Sequence, residues 1–234
     1  MKTFQAWNIA LLTLVCASAH AEETFDRYVA DVRLLMTNEV KAELKVTQAQ
    51  RDKMNAAAKN YNAIAARIEE KARKGQKASE SEQKQLDSEI EKMRNGVLNA
   101  LSASQILRLR EITLQVNGLQ SLADDRVAKR VGLSSSQVSK IRNLLQSALQ
   151  KSVDIRRKAV ERIEAQYKDK KPKTDAEKQK LAKEIEAKLR AEMKRVQPQI
   201  DKVETDARNA IVKVMTPGQQ QVWDSLLGKP FKPK

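Results

Sequence analysis

Ser81 and Lys84 are the residues whose types and spacing come nearest to nucleophilic chemistry. In an S-x-x-K arrangement an amine can take the serine proton, but such sites also use S-D-N and K-T-G partners, and the chain contains neither. Adjacent carboxylates occur at Glu69-Glu70 and at Asp124-Asp125. On a helix such neighbours point in different directions, and no calcium-loop spacing surrounds them, so neither pair suits acid–base work or metal binding. There is no G-x-x-x-x-G-K phosphate loop. No enzyme activity and no cofactor are expected.

The single Cys, Cys16, and the single His, His20, both fall in the first 21 residues. That segment reads as an export leader: Lys2 gives a positive start, Ile9 to Val15 an apolar stretch, and Ala19-His20-Ala21 a small-x-small cleavage site. The apolar stretch is far short of the roughly 20 residues that a spanning helix needs. Val15 before Cys16 is poor for lipid attachment, which wants a small residue there. Cleavage after Ala21 would leave a periplasmic or secreted chain with no Cys and no His. Disulfides, thiol chemistry, His-based nucleophile systems and ordinary zinc sites would then be excluded, and the fold would rest on burial alone.

Charge is unevenly spread. Residues 22–125 hold 17 Lys plus Arg against 17 Asp plus Glu, and residues 126–234 hold 27 against 13. A basic second half attracts anions: acidic proteins, anionic lipid or polysaccharide in an exported setting, rather than nucleic acid.

The elements that must carry these side chains are helical. No stretch alternates with period two, and aromatics make up 3% of the chain. Helix starts are marked by an apolar residue, then Ser or Thr, then Gln three positions on. The copies are Val46-Thr47 with Gln50, Leu101-Ser102 with Gln105, Leu133-Ser134 with Gln137, and Met215-Thr216 with Gln219. Each is a capping box, in which the hydroxyl accepts from a first-turn amide and the Gln reaches back to the cap N–H. After Thr47 an apolar stripe runs Met54, Ala57, Tyr61, Ile64, Ile68. Gly75 ends that helix, and Ser79 with Glu82 caps a return stripe of Leu86, Ile90, Met93, Val97 and Leu101. The pair predicts an antiparallel hairpin. From Ser134 a longer stripe runs Val138, Ile141, Leu145, Ala148, Ile155, Ala159, Ile163 to a basic loop at Lys168–Lys173. Thr174 with Glu177 starts the return, from Leu181 to Ile211. Pro198 within it predicts a kink or break near Gln197. Thr216 then caps a short last helix that Gly228 ends.

An offset of 87 aligns Val46, Thr47, Gln50, Lys53 and Met54 with Leu133, Ser134, Gln137, Lys140 and Ile141; for the later boxes it is 114, so the second copy carries 27 extra residues. An internally duplicated all-α fold is expected, with a leader at 1–21, a first unit at 22–125 and a longer, basic unit at 126–234. A generic amphipathic helical chain, in which caps recur because capping is common, is the plainer alternative.

Paired boxes of the form L-T-x-x-Q around a helical hairpin, in an exported and wholly helical chain, resemble the Spy and CpxP family of periplasmic stress proteins. Here the boxes read VTQAQ, LSASQ, LSSSQ and MTPGQ, so Thr and Leu are each kept in two of them. The resemblance covers residues 38–227 and implies a thin, cradle-like helical scaffold of two units fused in tandem. It also implies binding of unfolded clients without ATP, or regulation of an envelope stress sensor. A pseudo-dimeric monomer would then replace the family's two-chain assembly, with a homodimer as the other possibility.

The box residues Thr47, Gln50, Ser102, Gln105, Ser134, Gln137, Thr216 and Gln219 are assigned to capping. Candidate client contacts are Leu149, Val153, Val160 and Tyr167, which widen the apolar stripe of the second unit, with Arg156, Arg157, Lys158 and Arg162 beside it. Collapsed or acidic clients would meet charge first and apolar contact next. A solvated basic rim around an ordinary helix seam is the alternative for these residues. For the chain as a whole it is an envelope-associated protein holding anionic lipid, polysaccharide or another polyanion.

Overall fold

The computed structural model describes residues 25–170 and 172–232. The expected leader, with Cys16, His20 and the site near Ala21, lies outside the described residues. Within them the chain is all-α and contains no strand. It divides into two compact units, one formed by the chain through Gly118 together with the segment from Asp224, the other by Leu119–Trp223. The expected division at 125 and 126 did not foresee that the last segment groups with the first unit. Lys229 and Lys232 go with it, and residues 119 to 223 hold 24 Lys plus Arg against 14 Asp plus Glu.

The first unit contains α1 (25–29), a 3-10 turn at Val32–Met36, α2 (Asn38–Glu43), α3 (Gln48–Arg73), α4 (Glu80–Asn99) and α5 (Ala103–Asn117). Thr47, Ser79 and Ser102 sit in extended backbone at the helix starts, and each accepts from the amide three residues on. Helices α3 and α4 run side by side in opposite directions. Lys71 meets Glu82 at 2.6 Å near the loop, Ala57 lies against Gly96 toward the far end, and there Met54 shares a cluster with Val97, Leu98 and Leu101. Gly96 is required by that crossing, because a Cβ built there would lie 2.6 Å from the Cβ of Ala57. The same cluster takes in Val40, Leu44, Val46, Ile106, Leu109 and Ile112, so α2 and α5 close the core at the box end. The guanidinium of Arg94 caps the end of α1 by donating to the carbonyls of Arg27, Tyr28 and Ala30.

The second unit contains α6 (Asp125–Val131), α7 (Ser135–Tyr167), α8 (Asp175–Val214) and the start of α9 (Pro217–Leu227). Opposed direction is again fixed by contacts. Tyr167 reaches Glu184, Arg162 reaches Glu192, and Ala159 packs with Val196 and Ile200. The extra length lies mainly on the return helix: α7 and α8 have 33 and 40 residues where α3 and α4 have 26 and 20. Because the last residue of α7 faces Glu184, the part of α8 from Asp175 to Lys183 runs beyond the end of α7. That stretch has one helix less to pack on, and its Leu181 stays half-buried.

Pro198 does not break α8, which is a single helix from Asp175 to Val214. Its ring is exposed while Val196 and Ile200 are buried, so the carbonyl it leaves unpaired, that of Lys194, is on the solvent side of the helix. Burial of the apolar stripe then outweighs one missing backbone bond. In the turns before the paired boxes, Lys45 has φ 50° and Gly132, at the matching offset, has φ 78°. Lysine at a left-handed position is held there at a cost that glycine avoids.

Candidate functional site

The four glutamine boxes are brought together in pairs, one pair per unit. In the first, Gln50 Nε2 donates to Gln105 Oε1 at 2.7 Å and to the carbonyl of Ala100 at 3.0 Å. Gln105 Nε2 donates to Gln50 Oε1 at 3.2 Å and to the carbonyl of Leu44 at 2.9 Å. Each Oε1 also accepts the amide of its own cap residue, Thr47 or Ser102. Both side-chain amides therefore make two donations and two acceptances, which uses every position they have.

The second unit builds the same joint. Gln137 donates to Gln219 Oε1 at 2.8 Å and to the carbonyl of Val214 at 2.8 Å; Gln219 donates to Gln137 Oε1 at 3.1 Å and to the carbonyl of Gly132 at 2.7 Å. Ser134 and Thr216 supply the cap amides. All eight box residues thus serve as caps, and the glutamines also staple one helix start to the other. The two boxes at the loop ends, Ser79 with Glu82 and Thr174 with Glu177, carry Glu, an acceptor only, and among the described residues neither is joined to a second box; Glu82 instead meets Lys71 of α3. Sequence reasoning saw six boxes but not this division, although the choice of Gln over Glu signals it.

On α7 the candidate client residues separate by helix geometry. At about 3.6 residues per turn, Leu149, Val153, Arg156 and Val160 share one stripe beside the packed face. Leu149 is 64% and Val153 44% exposed, Val160 is half-buried, and Arg156 is exposed with no ion pair among the described residues. Arg157 lies at the edge of this stripe, held by Asp154 at 2.9 Å and Glu161 at 3.3 Å. Its guanidinium keeps the Asp154 carboxyl below the usual carboxylate range.

Lys158 falls on the opposite side of the helix. Arg162 turns to α8, where it pairs with Glu192 at 2.6 Å. Arg195 first, then Arg162, lowers the Glu192 carboxyl to about 2. Tyr167 is only 9% exposed and donates its hydroxyl to Glu184, so it belongs to the seam rather than to the open stripe. Burial, then the neighbouring carboxylate, raises its phenol.

Two features escaped the sequence reading. Arg110, inside the apolar run of α5, is buried with Asp26 at 2.8 Å, lies 6.0 Å from the ring centre of Phe25, and donates to the carbonyl of Leu226. On the same helix, Arg108 and Gln115 bind the main chain at the last residue of α9 and in the segment after it. A charged residue at an inward helix position was the available signal for the first. The second joins residues more than a hundred positions apart, which periodicity does not register.

The residues weighed for chemistry are dispersed. Lys84 pairs with Glu80, Glu69 with Arg73, Glu70 with Lys74, and Asp125 with Arg142, while Asp124 caps α6. No group of three or more His, Cys, Asp or Glu suited to a metal occurs among the described residues, and none of their helices is long and apolar enough to cross a membrane. Comparison with protein families, curated proteins and solved structures finds no match for this chain.

Proposed function

We propose that the chain is an exported, ATP-independent chaperone or envelope-stress adaptor that holds unfolded or partly folded proteins on its helical surface. The observation that carries this reading is the stripe of Leu149, Val153, Arg156 and Val160, open to solvent on a helix whose neighbouring face is packed against α8. Apolar side chains beside an unpaired cation offer a client both contact and attraction without a shaped pocket. The likeness to Spy and CpxP proteins in the paired glutamine boxes supports the class, and the recurrence of the same joint in both units supports a tandem duplication. Partners on this reading are unfolded or acidic client proteins, with an envelope stress sensor as a regulatory one.

The test is suppression of client aggregation by the mature protein without nucleotide, at low and at moderate salt. Suppression at both is the expected result, since apolar contact survives screening. No suppression at an equimolar ratio would remove the proposal. A second reading, binding of anionic lipid or polysaccharide, is favoured by the charge of residues 119–223, and it predicts suppression at low salt only.

A further inference from the structure

We propose that the face of α5 bearing Arg108 and Gln115 is a groove for extended peptide segments with an aromatic anchor, and that the chain's own residues 229–232 occupy it at rest. The inference deepens the client-binding reading and rests on it for the origin of the natural ligand.

The bonds that hold this segment go to its main chain. Gln115 Nε2 donates to the carbonyl of Lys229 at 2.7 Å, and Gln115 Oε1 accepts the amide of Phe231 at 2.7 Å. A carbonyl and the amide two residues later are the groups that one residue of a parallel strand would engage, so the glutamine side chain stands in for a neighbouring strand. Arg108 adds a bond to the same carbonyl at 2.6 Å, and its guanidinium is fixed by Glu43 and Glu111 at 2.6 and 2.7 Å. Two carboxylates outside the segment thus hold the guanidinium that meets it.

Only one side chain of the segment is anchored. Phe231 packs against the cluster of the first unit, whereas Lys229, Pro230 and Lys232 are exposed, and neither lysine has an ion pair among the described residues. Recognition by backbone plus one aromatic ring does not depend on the rest of the sequence, which is what a site for diverse clients requires. A tethered occupant acts at an effective concentration of about millimolar, so a free peptide competes poorly until the tail is loosened.

The probe is a labelled peptide of residues 228–234, Gly-Lys-Pro-Phe-Lys-Pro-Lys, read by fluorescence anisotropy. A peptide with Ala in place of Phe carries the same charge, so comparing the two separates ring recognition from general charge attraction. The full-length Phe231→Ala protein is expected to bind it at least about tenfold more tightly than the parent. Adding Gln115→Ala, or replacing Phe by Ala in the peptide, is expected to abolish the gain. In the parent, peptide in large excess over the tail's roughly millimolar effective concentration is expected to speed hydrogen exchange at the Phe231 amide, a readout that needs no variant. Absence of binding by a helical Phe231→Ala protein, equal binding of the Ala peptide, or unchanged exchange in the parent overturns the groove. Aggregation assays are read separately: peptide binding without suppression keeps the groove and removes the chaperone role, and suppression without peptide binding does the reverse.

Discussion

The side-chain amide of Gln137 completes four hydrogen bonds, and no other residue type can reproduce them at that position. Gln137→Ala removes the cap bond and both donations, and is expected to cost about 2 kcal/mol by urea unfolding. Gln137→Glu separates capping from stapling, because it keeps the acceptor and places a second carboxylate oxygen against the Val214 carbonyl. Its folded pKa is then raised above the unfolded value, so the loss is greatest above the folded pKa and shrinks as the group protonates. Comparing urea midpoints at about pH 7 and pH 4 checks this. Capping was legible in the sequence because it is a local rule over three residues. The cross-bonds were not, since they join Gln50 to Gln105 and Gln137 to Gln219 through the fold. The candidate client site was legible in part: Leu149 and Val153 are open, but spacing alone did not show that Glu192 engages Arg162 and that Tyr167 turns inward.

Among the elements, helix starts, stripes and loop positions followed from capping and period, because in a two-helix layer each helix has a single apolar face to bury. At Pro198 the expected break is absent, and α8 is one helix from Asp175 to Val214. Local rules price the lost backbone bond, whereas the outcome depends on which side of α8 faces water and on the packing of Val196 and Ile200 against Ala159. The reverse holds at Gly96, where a residue that weakens an isolated helix permits the approach of α3. Gly96→Ala gains helix propensity of about 1 kcal/mol yet is expected to destabilise by about 1–2 kcal/mol net, and Ala57→Gly in the same chain is expected to recover most of it. A thermal melt of the single and double variants decides. The helix pairs also predict acid sensitivity. Glu82, held by Lys71, and Glu192, held by Arg195 and Arg162, have carboxyls lowered to about 2. Between the ordinary unfolded value of about 4.3 and that value the unfolded chain binds more protons, so stability present at neutral pH is lost as pH falls through the window. Glu192→Gln is expected to lower stability at pH 7 and to flatten that fall, as measured by urea midpoints across the range.

For the whole molecule, the first unit contains a joint that the second repeats, with seven residues added to the outgoing helix and 20 to the return. On the proposed tandem reading, in which one chain supplies both units, light scattering of the mature protein should give the mass of one chain, and a stable dimer would contradict that proposal. The recurring boxes were visible in the sequence; the grouping of the chain from Asp224 with the first unit was not, because its bonds run through main-chain carbonyls that leave no mark on composition. The central claim is that the open stripe of α7 holds clients. It is tested by comparing the parent with a Leu149→Ser, Val153→Ser double variant in suppression of client aggregation, without nucleotide and at about 0.15 M salt. The account predicts suppression by the parent and loss of most of it in the variant at unchanged helix content. Equal suppression by both proteins, or none by the parent, would contradict it.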